Sequence, residues 1–114
     1  MMDCLFCKFV SGEIAINKIF ENKNIIAFKD IKPQAPIHFL IIPKIHIQTL
    51  NDLEKKNNAL LGELSLVASK LAKEYEMSEN GYRTIMNCNS DAGQTVFHIH
   101  LHMMAGRKLQ WPPG

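Results

Sequence analysis

The segment FHIHLHMMAG, residues 97–106, alternates histidine with apolar residues and constrains the fold more than any other stretch. Side chains at every second position of a β-strand point to the same face. The segment therefore predicts a strand with His98, His100 and His102 in a row, roughly 6–7 Å between neighbours. The intervening residues would face the core: Ile99, Leu101 and Met103. An exposed edge strand would also alternate, but Thr, Lys or Glu would serve that purpose more simply than histidine.

Apolar spacing of three to four residues predicts two helices. Residues 52–75 form the one long helix, with Asn51 or Asp52 as its N-cap and a turn ending at Gly81 after it. A short helix of about two turns is predicted at the N-terminus, where Gly12 would end it. The apolar positions of this short helix are Leu5, Phe6, Phe9 and Val10.

The remaining segments predict β-strands rather than further helices. Residues 18–21 and 24–29 form a hairpin around Asn22-Lys23, and a buried strand over 38–43 ends at Pro43. The segment SDAG is a turn between two more strands, at 82–89 and 95–105. Because strands and helices do not alternate regularly, we expect an α+β fold with a mostly antiparallel sheet.

Composition narrows the class of protein. The chain has 114 residues, of which 46% are hydrophobic and 21% charged, so residues 1–114 are expected to form a single domain. A net charge of +2, with Lys and Arg spread along the chain, argues against a nucleic-acid partner. The N-terminal residues fit neither a signal peptide nor a membrane-spanning helix. We therefore expect no membrane association and a cytoplasmic or nuclear setting.

The clustered imidazoles allow three kinds of chemistry: metal binding, proton transfer, or nucleophilic attack by one ring while another stabilises developing charge. The preceding segment, residues 89–96, favours a phosphate ligand. Gly93 lets the backbone approach a ligand closely, while Gln94 and Thr95 add uncharged polar groups.

Cys4 and Cys7 form a second candidate site. Two thiolates three residues apart can bind one Zn²⁺, and His46 is a natural third ligand, but a closed structural site needs four. Alternatively, both cysteines are ordinary buried thiols on a short helix, as we expect for the isolated Cys88 in its strand.

Three blocks of sequence resemble the histidine triad (HIT) superfamily, and specifically its HINT branch of nucleotide-binding proteins. The blocks are QTVFHIHLHMMAGR, DIKPQAPIHFLIIPKIHI and WPPG. The motif His-φ-His-φ-His-φ-φ, in which φ is apolar, is matched at every position of residues 98–104. The resemblance extends over nearly the whole chain and implies a HIT-like fold over residues 1–114.

The resemblance implies a hydrolase of purine nucleoside phosphoramidates that forms a covalent nucleotidyl-histidine intermediate and needs no cofactor for the chemical step. His100 would attack the α-phosphorus of an AMP-like substrate, and His102 would donate to a nonbridging oxygen. His98 and His38 would complete the imidazole network, and Thr95 would contact the phosphate or the leaving group.

The same resemblance implies a nucleotide site. Asp30 would bind the ribose, although in isolation it is equally well a turn residue. In isolation Phe28 and Ile31 are predicted to be core residues, and their role in a pocket rests on the resemblance. The implied nucleotide contacts are Ile14, Phe28, Asp30, Ile31, Asn87, Gly93, Gln94, Thr95, Val96, His100, His102 and Trp111.

The resemblance also implies a homodimer and a zinc site. The C-terminal tail of such proteins crosses a two-fold dimer, so Trp111 would lie near the partner's active site; the alternative is a disordered tail. The long helix and the strand after it would form the dimer interface. The zinc ligands would be Cys4, Cys7, His46 and His98, with zinc as a structural stabiliser.

Other functions remain open at this stage. A nucleotide-binding scaffold would keep the cleft but act through partner proteins, with catalysis incidental. A dinucleoside polyphosphate hydrolase would share the triad, although the WPPG tail favours the HINT branch. A zinc hydrolase would use the histidine row as ligands for a metal that activates water.

Overall fold

Five short strands pair into one antiparallel sheet in the computed structural model, which describes residues 3–114. The order across the sheet is β1-β2-β3-β5-β4. The strands are β1 (Lys18–Glu21), β2 (Ile25–Lys29), β3 (Ile37–Pro43), β4 (Tyr82–Ile85) and β5 (Leu101–Ala105). The predicted hairpin is β1–β2, in which the side-chain oxygen of Asn22 accepts from the backbone N–H groups of Asn24 and Ile25. The predicted α+β class with an antiparallel sheet is confirmed.

Helices cover both faces of the sheet. They are α1 (Leu5–Ser11), α2 (Asn58–Glu74) and a single turn, α3 (Asn89–Ala92). The prediction that Gly12 ends α1 is confirmed, since Gly12 adopts a left-handed backbone with φ of 84° that glycine tolerates. Within residues 3–114, no helix combines the length and the apolar content that crossing a membrane requires.

The predicted start of the long helix was wrong by six residues. α2 begins at Asn58, and residues 50–57 form two 3₁₀ turns instead. In the first turn the Asp52 carboxylate accepts from the Thr49 backbone N–H at 3.1 Å, and in the second the Asn57 side chain accepts from the Glu54 N–H at 2.8 Å. Polar side chains that bond locally compete with helix propagation. Asn51 and Asp52 therefore do not cap α2.

Two apolar layers hold the sheet between α1 and α2. The predicted apolar face of α2 is confirmed, with Leu64, Val67, Ala68 and Leu71 buried against the β2, β3 and β5 side chains of one sheet face. On the opposite face, Phe6 of α1 packs with Ile26, Phe28, Leu40 and Ile42. β2 and β3 are covered on both faces, which explains their nearly continuous apolar sequences.

The strands around the histidine motif are shorter than predicted. β4 ends at Ile85, and β5 starts only at Leu101, so residues 95–100 are irregular. The Pro43 carbonyl, which lies next to the end of the β3–β5 ladder, accepts from the His98 ring at 2.8 Å. The Ile99 N–H donates instead to the Ile47 carbonyl. The predicted SDAG turn is the single helical turn α3, which ends at Gly93 with φ of 87°.

Candidate active site

A cleft of about 610 Å³ opens on the α1 side of the sheet. Nine of the residues that sequence resemblance assigned to a nucleotide border it: Phe28, Asp30, Ile31, Asn87, Gly93, Thr95, Val96, His100 and His102. Apolar side chains contributed by α1 and the sheet form its inner wall, whereas Asp30 and the histidines supply polar groups. This combination suits a ligand with a flat apolar part and a charged part.

One wall of the cleft was missed by the sequence analysis. Leu5, Phe6 and Phe9 of α1 line it together with Ile16 and Leu40. These apolar positions at helical spacing were interpreted only as core, and nothing in the local pattern separates a core position from a cleft position. The signal that could have found them is the aromatic content of so short a helix.

Three of the predicted nucleotide contacts lie outside the cleft lining. The Gln94 side chain is buried and fully engaged with backbone: it accepts from the Asn89 N–H at 2.8 Å and donates to the Gln48 and Val96 carbonyls. The Gln94 side chain therefore holds the backbone of the loop around α3 and does not face the cleft. Ile14 follows α1 at the surface, and Trp111, in the C-terminal tail, is 81% exposed within a single chain.

The tautomer of His100 is set by a backbone carbonyl. His100 Nδ1 lies 2.8 Å from the His98 carbonyl oxygen, and because a carbonyl can only accept, Nδ1 carries the proton. The lone pair is then on Nε2. Burial lowers the pKa of His100, so the ring is neutral near pH 7. Phe6 meets the ring edge-on at 5.1 Å between centroids and restricts its rotation.

His102, which borders the cleft, forms a hydrogen-bonded pair with His38, and the direction of this bond can be assigned. The Gln34 backbone N–H donates to His38 Nδ1 at 3.0 Å, so the proton of the neutral His38 ring is on Nε2. That Nε2–H lies 2.9 Å from His102 Nδ1 and 3.4 Å from an Asp30 carboxylate oxygen. When His102 Nδ1 accepts this bond, the proton of the neutral His102 ring is on Nε2. His102 therefore acts as a hydrogen-bond donor beside His100, with 5.0 Å between the ring centroids.

His98, the first histidine of the triad, faces Cys4, Cys7 and His46 and not the cleft. His98 is fully buried, and its Nε2–H donates to the Pro43 carbonyl, which leaves the lone pair on Nδ1. This Nδ1 lies 3.5 Å from Cys4 Sγ, 3.6 Å from Cys7 Sγ and 3.2 Å from His46 Nδ1. Cys7 Sγ lies 3.3 Å from His46 Nδ1.

The four donor atoms have the spacing of a tetrahedral zinc site. Standard Zn–S and Zn–N bonds at tetrahedral angles put S···N pairs about 3.5 Å apart and N···N pairs about 3.3 Å apart. The donors of Cys4, Cys7, His46 and His98 all lie within 4.8 Å of one another. Burial also lowers the pKa of His98 to about 4, so the ring has the neutral form that binds metals. The residues therefore fit a zinc ion.

The predicted single row of three imidazoles is corrected by these positions. Only His102 lies in β5, and only His100 and His102 border the cleft. The His98 ring donates to the Pro43 carbonyl and faces the cysteines. The contact from His98 to His100 is made by the backbone carbonyl of His98 and not by its ring. The cleft thus combines one ring with a free lone pair and one ring that donates a proton, an arrangement suited to attack on phosphorus.

Comparison with known proteins identifies the family of this chain. Residues 11–109 match the HIT domain family, and the chain belongs to that family. It is 43% identical over 107 residues to the purine nucleoside phosphoramidase of Escherichia coli K12, with 94% of this chain and 90% of that protein covered. The resemblance inferred from the triad, Pro-rich and C-terminal blocks is thereby confirmed.

Solved structures share the whole fold. The HIT family hydrolase from Legionella pneumophila Philadelphia 1 has a TM-score of 0.96 and 54% identity, covering 98% of this chain and 100% of that one. The histidine triad nucleotide-binding protein from Candida albicans has a TM-score of 0.81 and 34% identity, covering 96% of this chain and 83% of that one.

The half-buried His102 ring leads to a pH-dependent stability. Burial, and then the neighbouring His100 and His38, lower the pKa of His102 to about 4 from an ordinary value of 6.5, although Asp30 raises it. Lys29 and Lys32 also border the cleft that His102 faces. The unfolded chain therefore binds a proton more readily than the folded one, so this contribution to stability is complete above pH 6.5 and is lost as the pH falls toward 4.

We expect the free energy of unfolding, measured with urea, to decrease as the pH is lowered from 7 to 4.5. The decrease per pH unit should be smaller in His102→Asn than in the unaltered protein. Asn keeps an acceptor for His38 but does not titrate. Because His102 is not among the zinc-site donors, metal binding affects both proteins alike. Equal slopes in the two proteins would contradict the assignment.

Proposed function

We propose that the protein hydrolyses the P–N bond of purine nucleoside phosphoramidates, such as an amine linked to AMP, through a nucleotidyl-His100 intermediate. The observation that carries the proposal is the paired tautomers in the cleft: His100 has its lone pair on Nε2, and His102 has its proton there. The named activity of the Escherichia coli relative supports the same reaction class.

The reaction follows in two displacements. His100 Nε2 attacks the α-phosphorus, the P–N bond breaks, and the amine leaves with a proton supplied by solvent. The Nε2–H of His102 stabilises the charge that develops on a nonbridging oxygen. Water then attacks phosphorus, the bond to Nε2 breaks, and the water proton returns to solvent. One water is consumed, AMP and amine are released, and His100 regains its lone pair.

The nucleotide would occupy the cleft with its base against the aromatic wall. Phe28 and Ile31 border the cleft together with Phe6 and Phe9, which gives flat apolar contacts for a purine. Asp30 would accept from the ribose hydroxyls, because a carboxylate oxygen at the cleft can accept such bonds. Thr95 and the backbone at Gly93, which also border the cleft, would contact the phosphate.

Replacing His100 tests the chemical step. We expect His100→Asn to lower kcat for an AMP-amine phosphoramidate on the order of 10³-fold or more, because the nucleophile is lost. Mass spectrometry of acid-labile adducts in quenched reactions should detect one nucleotidyl group on the unaltered chain and none on the variant. Turnover that survives in His100→Asn would overturn the covalent mechanism.

Nucleotide binding by the same variant separates the competing functions. Under the proposal, His100→Asn still binds AMP but does not turn substrate over. A cellular effect that depends on AMP binding and survives in this variant would favour a nucleotide-binding scaffold. A higher kcat/KM for dinucleoside polyphosphates than for phosphoramidates would favour the other branch of the superfamily.

We also propose that Cys4, Cys7, His46 and His98 hold a structural zinc ion. When bound, zinc would cross-link α1, the segment after β3 and the triad, and would supply no reacting group. Cys7→Ser should lose zinc, measured by elemental analysis, and should lower the free energy of unfolding by at least about 2 kcal/mol.

Cys88→Ser is the matched control for zinc binding, since Cys88 is a free cysteine outside the four-donor cluster. It should keep both zinc and stability. Protein that contains no zinc after purification without chelators and tags, and that gains no stability when zinc is added, would show that the cysteines are ordinary thiols. Activity that is lost on chelation and regained with metal, in protein that stays folded throughout, would favour the zinc-hydrolase mechanism.

We further propose a two-fold dimer formed through α2 and β4. β4 lies at the edge of the sheet, so one side of its backbone has no strand partner among residues 3–114. Leu66 on α2 is 71% exposed, and Tyr82 at the start of β4 is also exposed. An unpaired edge beside exposed apolar side chains is typical of a surface that pairs with a second copy. The exposed Trp111 would then approach the partner's cleft.

Light scattering at micromolar concentration should give the mass of a dimer. Leu66→Glu should weaken the dimer by roughly tenfold or more, because it inserts a charge into the interface. Lys23→Glu changes an exposed residue of the β1–β2 turn, at the sheet edge opposite β4, and should leave the mass unchanged. A monomeric mass for the unaltered protein would exclude this interface.

A further inference from the structure

The donor state of His102 depends on a loop that the triad motif does not include. Residues 30–36 connect β2 to β3, and within them the Gln34 N–H donates to His38 Nδ1. Pro33 and Pro36 flank Gln34 and have no N–H groups, so few backbone donors are available to hold this loop. The Gln34 N–H at Nδ1 and the Asp30 carboxylate, 3.4 Å from Nε2, therefore both favour the proton of His38 on Nε2, and the first of these depends on the orientation of one peptide group.

The Gln34 residue is held from its other side by the chain that follows β5. Arg107 Nε donates to the Gln34 carbonyl at 2.9 Å, and Arg107 Nη1 donates to the Lys108 carbonyl at 3.0 Å. The guanidinium thus bridges the loop before β3 and the segment after β5. Both acceptors are backbone carbonyl oxygens, so Arg107 holds the loop through hydrogen bonds and not through an ion pair.

A close backbone approach at Gly106 brings Arg107 into position. The β3–β5 ladder ends at the Ile37–Ala105 pair, so Pro36 and Gly106 face each other just beyond it. A Cβ atom at Gly106 would lie 2.9 Å from Pro36 Cβ, and Gly106 has φ of 97°. Only glycine fits this contact without displacing the loop. Gly106 therefore allows the close approach to Pro36, and Arg107 then holds the loop that contains Gln34.

The hydrogen bonds form a directed series from Arg107 to the cleft. Arg107 holds the Gln34 carbonyl, the Gln34 N–H donates to His38 Nδ1, and His38 Nε2–H donates to His102 Nδ1. If the Gln34 N–H turns away, only the Asp30 carboxylate still favours the Nε2–H form, and His38 can also carry its proton on Nδ1 and present a lone pair at Nε2. His102 would then carry its proton on Nδ1, and its Nε2 lone pair would face the phosphate.

We propose that Arg107 is a positioning residue that keeps His102 in its donor tautomer by clamping the Gln34 loop over His38. The part of this inference that concerns reaction rate rests on the proposed phosphoramidase function. The part that concerns the tautomers is a property of the free protein and does not depend on any substrate.

The test compares Arg107→Ala with Lys108→Ala. Lys108 is the adjacent exposed cation, and its alanine variant removes the same charge while keeping the backbone carbonyl that Arg107 uses. Nitrogen-15 NMR of labelled histidine measures the tautomers directly. We expect His38 and His102 to be in the Nε2–H form in the unaltered protein and in Lys108→Ala, and to exchange between tautomers in Arg107→Ala.

In phosphoramidate hydrolysis, Arg107→Ala should lower kcat roughly tenfold to hundredfold, because the donor to the phosphate is misoriented. KM should change by less than about threefold, since the lost interaction is made mainly in the transition state. Lys108→Ala should retain both constants. Unchanged histidine tautomers in Arg107→Ala would overturn the proposal, even if kcat fell through a general loss of stability. If the unaltered protein hydrolyses no phosphoramidate, the proposed function fails, whereas the NMR comparison still decides the role of Arg107.

Discussion

The buried hydrogen bond between the His98 ring and the Pro43 carbonyl is the interaction on which both functional clusters depend. By occupying Nε2, it leaves Nδ1 free toward Cys4, Cys7 and His46. It also fixes the backbone of His98, whose carbonyl sets the tautomer of His100. One buried ring therefore lies in the cluster of four possible metal donors on one side and orients the proposed nucleophile on the other. Because His98 is fully buried, a lost partner would leave a polar atom unpaired in the interior, which is costly.

The cleft derives its chemistry from burial as much as from the identity of its residues. Burial lowers the pKa of His38, His98, His100 and His102 alike, so the network is neutral near pH 7. In neutral rings, each nitrogen has a distinct role as donor or acceptor, and backbone groups assign those roles. The Gln34 N–H and the His98 carbonyl act at opposite ends of the site. Through them, the loop before β3 and the segment before β5 determine which ring presents a lone pair and which ring presents an N–H group.

Helix α1 serves the site in two ways. Its Cys4 N-cap and Cys7 belong to the four-donor cluster with His46 and His98, while Leu5, Phe6 and Phe9 border the cleft. Phe6 also contacts the rings of both His98 and His100, at 5.9 and 5.1 Å between centroids. A zinc ion bound to the cysteines would therefore hold the same helix that forms the aromatic wall. Under the two proposals, this would give a physical reason for a structural metal ion to lie next to a reaction centre that does not use it.

The sequence alone determined the class of fold, the apolar face of α2, the α1 helix ended by Gly12 and the family to which the triad belongs. Each of these depends on local periodicity or on a contiguous motif. Only the tertiary structure decided three outcomes. The His98 ring does not line up with those of His100 and His102, the Gln94 side chain bonds to backbone groups and not to the cleft, and Arg107 contacts the loop before His38. These outcomes depend on bonds between residues far apart in the chain, such as His98 with Pro43 and Arg107 with Gln34. Periodicity in the sequence predicts which side chains share a face, but it does not predict which distant carbonyl group each side chain will contact.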